Sequence, residues 1–503
     1  MTVLKASKNL YTLAFFIVIV NAFYAVYYRE MKAFGSIHLG VVATIAGFML
    51  MVFELAAARI LAPTIGSSTY VWTSVIGVII MALSAGYWAG GRIADKRNRL
   101  GDVALLFFGL GVAIATTTWL YPGLLGAIAT WTTDVRFNAV IASLILFAPA
   151  SFLLGAVSPY LAKLNVRSLA SSGRAVANLG ALNSLGGIAG TFLTGFVLFG
   201  VMGVQALMIS LALGAVVTGW WIGEVNKRIK MVFVSVVVAL SLLSAAPQAV
   251  MAIDTASAHY TIETTTVGGN QVRLLATGPG GKQSGVFVDD PSELLFWYTK
   301  EMAKLVGRQP SPTRIAVLGG GAYTLPMALA KQYPQATIDV VEIDPELVAI
   351  AKAHFGYITP PNVTEIAMDA RVFVNQAARQ YDVVLVDVFG DDSIPESLFT
   401  AEYGRAIKAM VAPGGIVVLN AIAGNGGACG ELFNAVMRPY ADNFAQGYYT
   451  MQLPGSRRSN IIAVFGESPV VPLYYSRLGV INSRVYTDDF HPIAPLQFAC
   501  KNH

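Results

Sequence analysis

Between Arg314 and Asn420, four short motifs occur at the spacing of a ligand-binding sheet: Val317-Leu318-Gly319-Gly320-Gly321, Val341-Glu342-Ile343-Asp344, Met368-Asp369-Ala370 and Val386-Asp387-Val388-Phe389-Gly390-Asp391-Asp392. Each puts glycine or a carboxylate just behind an apolar run. Gly319, Gly320 and Gly321 carry no side chain, so the backbone can approach a ligand closely and open the next helix. Glu342 lies 23 residues after Gly319, where an acidic side chain accepts hydrogen bonds from both ribose hydroxyls. Asp369, with Ala370 beside it, either accepts from an adenine amino group or caps the helix that begins there. Asp387 ends the fourth run, beside the reactive part of a bound nucleoside, or else holds a turn. Asp344 reads as a cap before Pro345. The order is that of a nucleoside site. With no G-x-x-x-x-G-K-[ST] and no full dinucleotide fingerprint, S-adenosyl-type cofactors rank above NAD and ATP.

These residues need strands to carry them. Strands are expected near 314–318, 337–342, 364–368, 382–387, 415–420 and 460–465, with helices around 323–332, 345–354, 370–378, 396–411 and 428–442 between them. Such alternation implies a doubly wound, mostly parallel Rossmann-like sheet that binds its ligand at the carboxyl ends of the strands. Ahead of it, short strands at 259–263, 271–275 and 285–288 and a helix near 291–306 indicate a small β-domain.

The first half of the chain is of another kind. Only 13% of the residues are charged and the mean hydropathy is +0.60, which excludes an ordinary soluble protein. Apolar runs near 10–28, 38–61, 70–91, 102–121, 137–158, 177–200, 203–222 and 231–249 each approach the ~20 residues that span a bilayer, giving seven or eight helices. The expected division is a membrane domain at 1–250, a small β-part at 255–307 and a Rossmann-like domain at 308–503. Residues 1–250 hold 16 Lys+Arg and 6 Asp+Glu, a net +10, which leaves 18 and 23, or −5, for the remainder. The basic excess is thus a membrane-loop property and does not mark a nucleic-acid partner. Arg92, Lys96, Arg97 and Arg99, then Lys163, Arg167 and Arg174, then Lys227, Arg228 and Lys230 form basic connections that belong in the cytoplasm. If every segment spans, the C-terminal domain falls outside, whereas supply of a nucleoside sulfonium favours the cytoplasm. An inner-membrane, multi-pass location is expected, with the side left open.

Glu54, inside an apolar run, is either a pathway residue or half of an ion pair with Arg59 or Arg92. The small residues from Asn178 to Gly190, including a G-x-x-x-G from Gly186, favour close helix packing over a transport path. Cys429 and Cys500 are far apart and five His show no ligand spacing, so neither a disulfide framework nor a metal is expected.

At the four motifs the chain resembles the spermidine synthase (polyamine aminopropyltransferase) family, and especially its membrane-fused bacterial branch. The resemblance covers roughly 255–495, together with Glu54 to Lys96, including Thr69-Tyr70-Val71-Trp72-Thr73, and Thr487-Asp488-Asp489-Phe490-His491-Pro492. It implies decarboxylated S-adenosylmethionine as co-substrate, without metal, and a small amine as acceptor, in a chain that lies in the bilayer and is compatible with a homo-oligomer. By the same resemblance Gly319 to Gly321 hold the cofactor, Glu342 the ribose and Asp369 with Ala370 the adenine. Gln283 lines the gate between cofactor and amine, and Asp387 is the catalytic carboxylate. Tyr298 is placed with the amine, and Asp391 and Asp392 either hold the distal ammonium of a diamine or are solvated turn residues before Ile394-Pro395.

Three positions depart from the family pattern. Ala322 stands where an Asp binds the aminopropyl nitrogen, Tyr298-Thr299-Lys300-Glu301-Met302 lacks the family's His, and Gly390 replaces a second acidic residue. The loss at Ala322 admits an alternative, a methyltransferase using S-adenosylmethionine itself on a membrane-associated substrate. The long apolar half admits another, a polyamine carrier or sensor.

Overall fold

The computed structural model describes residues 36–501 except 67, 98, 132–133, 167–171, 224, 245–250, 256, 278–281, 389–394, 456–457, 482 and 492. The expected helix at 10–28 lies outside the described residues. The chain divides into two compact units, one holding the described residues within Met1–Ile60, Thr73–Ile128 and Ala139–Pro247, the other Leu61–Trp72, Ala129–Asn138 and Gln248–His503.

The helices are α1 (Ser36–Ile65), α2 (Thr69–Lys96), α3 (Leu100–Trp131), α4 (Val135–Leu146), α5 (Ala148–Asn165), α6 (Ser172–Leu193), α7 (Val204–Ile222) and α8 (Lys227–Ser244). α6 continues through a π-helical turn, Thr194–Leu198, to Val201. Five of these stretches are long and apolar enough to cross a membrane, and a sixth span results if α4 and α5, bent by 54°, are one. Among the described residues these answer the expected segments from 38–61 to 203–222, with the bent pair in place of 137–158. α8 is not among them, because Lys227, Arg228 and Lys230 occupy its first turn. At the bend by Phe147 the carbonyl of Leu146 accepts a hydrogen bond from the Thr117 hydroxyl at 2.6 Å, which satisfies that acceptor in an apolar setting. The small-residue run of α6 serves packing. A Cβ at Gly186 would lie 1.9 Å from the Thr44 carbonyl oxygen, and one at Gly190 would lie 2.6 Å from that of Phe48. Half-buried Glu54 is in α1, where the Arg59 guanidinium lies 4.0 Å from the centre of the Phe199 ring; Arg92 sits over Trp88.

In the second unit β1 (Met251–Asp254), β2 (His259–Val267), β3 (Asn270–Ala276) and β4 (Ser284–Phe287) form an antiparallel sheet in chain order. α9 (Trp297–Val306) leads into β5 (Arg314–Leu318), α10 (Thr324–Gln332), β6 (Thr337–Glu342), α11 (Leu347–His354), β7 (Val363–Ala367), α12 (Ala370–Gln376) and β8 (Tyr381–Val386). Then follow α13 (Ala401–Met410), β9 (Val411–Ala423), α14 (Gly427–Ala441), β10 (Gln446–Met451), β11 (Ser459–Gly466), β12 (Ser476–Arg477) and α15 (Ile493–Lys501). The eight-stranded order is β12-β10-β11-β9-β8-β5-β6-β7, with β5 to β9 parallel and β10 and β11 antiparallel.

Alternation along β5 shows why this sheet is covered on both faces. Ile315 and Val317 join a core with Leu305 of α9 and Leu329 of α10, while Ala316 and Leu318 join one with Tyr403 of α13 and Val436 of α14. Connectivity reverses between β5 and β8, and ligands bind at the carboxyl ends beside such a switch point.

Candidate functional site

The glycine turn leaves β5 at that switch point. Gly319 has φ +98°, and a Cβ there would lie 2.0 Å from the Asp387 carbonyl oxygen, so only glycine lets the turn pass the end of β8. The turn's amides converge on the next strand: Gly320 N–H and Gly321 N–H donate to Glu342 Oε2 at 2.9 and 3.3 Å. Asp344 N–H donates to Oε1 at 3.1 Å. The buried Glu342 carboxylate thus braces the turn with one oxygen and the start of the next loop with the other. Tyr323, at the helix entry, holds φ +59°, a strained conformation for a non-glycine residue, and its ring lies 4.7 Å from that of Tyr357.

Asp344 has more to do than cap. It is buried, accepts from the Thr255 hydroxyl at 2.6 Å and the Tyr260 hydroxyl at 2.9 Å, and also takes the Glu346 N–H. The small sheet is fastened there to the end of β6. Ser284, at the start of β4, makes a second tie by accepting from the Ala322 N–H at 3.0 Å.

Asp369 does cap α12, its Oδ1 accepting from Arg371 N–H at 2.8 Å and Val372 N–H at 3.1 Å. Both bonds fall on one oxygen, so capping and a ligand contact through the other are compatible. Ala370 behind it is buried in the core.

Asp387 stands one residue past β8 with its carboxylate oriented by Asn420 of β9, whose Nδ2 donates to Oδ1 at 2.8 Å. Asn460 of β11 donates in turn to Asn420 Oδ1 at 3.0 Å. Burial pushes the Asp387 carboxyl up to about 6; the Asn420 bond opposes the rise and the Glu342 charge adds to it. Tyr298 donates its hydroxyl to the Gln283 carbonyl at 2.9 Å, and burial, with the nearby Asp387 charge, pushes its phenol well up. The Gln283 side chain places a buried Oε1 without a hydrogen-bond partner among the described residues.

The structure therefore gathers Gly319, Gly320, Gly321, Glu342, Asp387, Tyr298 and Gln283 around one end of the sheet. Asp391 and Asp392 lie outside the described residues. Ser284, Asn420 and Asn460 were missed from the sequence; the one available signal was an Asn at the end of a hydrophobic run at Asn420. No group of three His, Cys, Asp or Glu suited to a metal ion occurs among the described residues. The expected absence of a disulfide is overturned: Cys429 of α14 and Cys500 of α15 are bonded, Cα atoms 4.4 Å apart, because the last helix folds back onto α14 across 71 residues.

Residues 295–461 match the Spermine/spermidine synthase domain. The chain is 30% identical over 179 residues to the polyamine aminopropyltransferase of Vibrio vulnificus (strain CMCP6), covering 34% of this chain and 58% of that protein. It is 33% identical over 134 residues to putrescine N-methyltransferase 2 of Nicotiana attenuata, covering 25% and 36%. Both matches span less than two thirds of those relatives. A probable spermidine synthase from Corynebacterium glutamicum ATCC 13032 aligns at 25% identity and a TM-score of 0.37, over 42% of this chain and 77% of that one. The C-terminal part is a Rossmann-like domain of spermidine synthase type, preceded by a small sheet and apolar helices.

Proposed function

We propose that this domain transfers an aminopropyl group from decarboxylated S-adenosylmethionine to a diamine, with Asp387 as the catalytic carboxylate. The observation that supports this most is the setting of Asp387: partly buried, held by Asn420, and with a proton affinity lifted to about 6. Such a donor supplies a carbon made electrophilic by its sulfonium. Asp387 binds the attacking ammonium, takes its proton and aligns the freed lone pair. The N–C bond forms as the C–S bond breaks, its electron pair going to sulfur, so donor and acceptor balance without a further reactant.

The residues fit a nucleoside donor. The Gly319 to Gly321 turn has room for backbone only, and Glu342 and Asp369 follow at successive strand ends. The partnerless Gln283 Oε1 would gain from a ligand N–H, since a buried unsatisfied acceptor costs ~1–3 kcal/mol. Asp391 and Asp392 are proposed to hold the distal ammonium, and Tyr298 to line its path.

A second reading rests on Ala322, which removes the carboxylate expected opposite the aminopropyl nitrogen. Without it the carboxylated donor is no longer repelled, and methyl transfer to an amine becomes the alternative. Purified full-length protein incubated with either donor and a panel of diamines, with products read by mass spectrometry, separates the two. Aminopropylated product that is lost in Asp387→Asn is expected. Methylated product selects the second reading, and no product with donor demonstrably bound overturns both.

A further inference from the structure

We propose that residues 248–503 work on the non-cytoplasmic side of the membrane, in an oxidising compartment, with α8 as the last span. Three observations independent of the catalytic reading carry this. The first is covalent: the Cys429–Cys500 disulfide is buried, and such bonds persist outside the cytoplasm, where thiols are not kept reduced.

The second is connectivity. The connections after α1 and after α3 fall in Leu61–Trp72 and Ala129–Asn138, which fold into the same compact unit as residues 248–503. Inside that unit the Arg136 guanidinium lies 4.4 Å from the centre of the Phe498 ring, and the Tyr70 ring is 5.6 Å from it. Phe498 is in α15, two residues before the disulfide. The connections after α2, α5 and α7, and the two-residue connection 202–203 after α6, belong to the other unit. Successive spans, counting α4 and α5 as one, alternate sides, so the connections after α1, α3 and α6 share one side and those after α2, α5 and α7 share the other.

The third is charge. Arg92, Lys96, Arg97, Arg99, Lys163, Arg167, Arg174, Lys227, Arg228 and Lys230 flank the second set of connections, against Arg59 and Arg136 at the first. The basic set marks the cytoplasm, so the connections after α1 and α3, and residues 248–503 that fold with them, belong on the non-cytoplasmic side. α8 then has to cross. Its 18 residues rise ~27 Å, close to the ~30 Å hydrocarbon thickness, and its three basic residues sit in the first turn, where long side chains reach back to the cytoplasmic interface. Given the reading under Proposed function, both donor and amine are drawn from outside the cytoplasm.

The test uses the full chain in a Gram-negative host. Thiols are trapped in acid and reacted with a polyethylene-glycol maleimide: no adduct before reduction and two after are expected, whereas two adducts without reduction overturn the proposal. In a Cys429→Ser/Cys500→Ser background, an impermeant maleimide should label Leu473→Cys, a fully exposed position, in intact spheroplasts, and Arg97→Cys only after permeabilisation. The reverse pattern overturns it. Should the serine pair fail to accumulate, the wild-type chain carrying C-terminal alkaline phosphatase or a fluorescent protein decides: active phosphatase and dark fusion support, the opposite overturns. None of these readouts measures transfer, so failure here is distinct from failure of the catalytic reading.

Discussion

The Asn420 side-chain amide donates to Asp387 at 2.8 Å from the neighbouring parallel strand, and Asn460 fixes Asn420 in turn. The acceptor oxygen of Asn420 is occupied by Asn460, so its nitrogen is the atom turned to the carboxylate. This bond favours the ionised form of Asp387. Asn420→Ala should therefore shift the acid limb of the rate profile to higher pH. It should also lower kcat/KM roughly 10-fold or more at neutral pH, the size of losing a hydrogen bond to a charged group. Asn420 is a positioning residue in this account, and a fall in rate with an unmoved limb would assign it a structural role only.

The wild-type profile follows from the same carboxylate. Only the ionised form accepts a proton, so kcat/KM should rise with pH through about 6 and flatten above it. Stopped assays between pH 5 and 8 with saturating donor check this, and a limb near 4 would place the proton acceptor elsewhere.

Asp387→Asn should separate activity from stability. Loss of the base is expected to cost ~10²–10⁴ in rate while donor binding survives. The carboxyl rises from 3.8 to about 6 on folding, so its favourable contribution is complete below pH 4 and is lost as pH climbs through 6. At pH 7.5 the wild type carries that deficit and the variant does not. A gain on the order of 2 kcal/mol, seen as a higher unfolding midpoint at pH 7.5 that vanishes near pH 4, is the expected result.

Glu342→Gln tests the brace under the glycine turn. A glutamine keeps one acceptor oxygen, so either the Gly320 and Gly321 amides or the Asp344 amide loses its partner. Destabilisation of ~1–3 kcal/mol and at least a 10-fold weaker affinity for the nucleoside thioether product, measured by calorimetry, should follow.

The parallel sheet and its strand-end residues were legible in the sequence because each sits directly behind its own hydrophobic run, so spacing along the chain maps onto position in the fold. Asn420, Asn460 and Ser284 were not, since their partners are decided by which strand lies next to which, a property of sheet order and not of local pattern. The Cys429–Cys500 bond was hidden for the same reason: two helices 71 residues apart meet only through tertiary packing. Asp344 was read as a local cap because its neighbours in sequence suffice for that role, whereas its buried partners Thr255 and Tyr260 come from a different sheet.

Glu342 and Asp344, two positions apart at the end of β6, serve different partners: one takes the amides of the glycine turn, the other the hydroxyls of Thr255 and Tyr260. The glycine turn and the small sheet are thus hung from a single strand end. Whatever displaces β1 and β2 loads the chain segment whose carboxylate steadies the turn, so the stiffness of the turn and the seating of the small sheet become one mechanical variable.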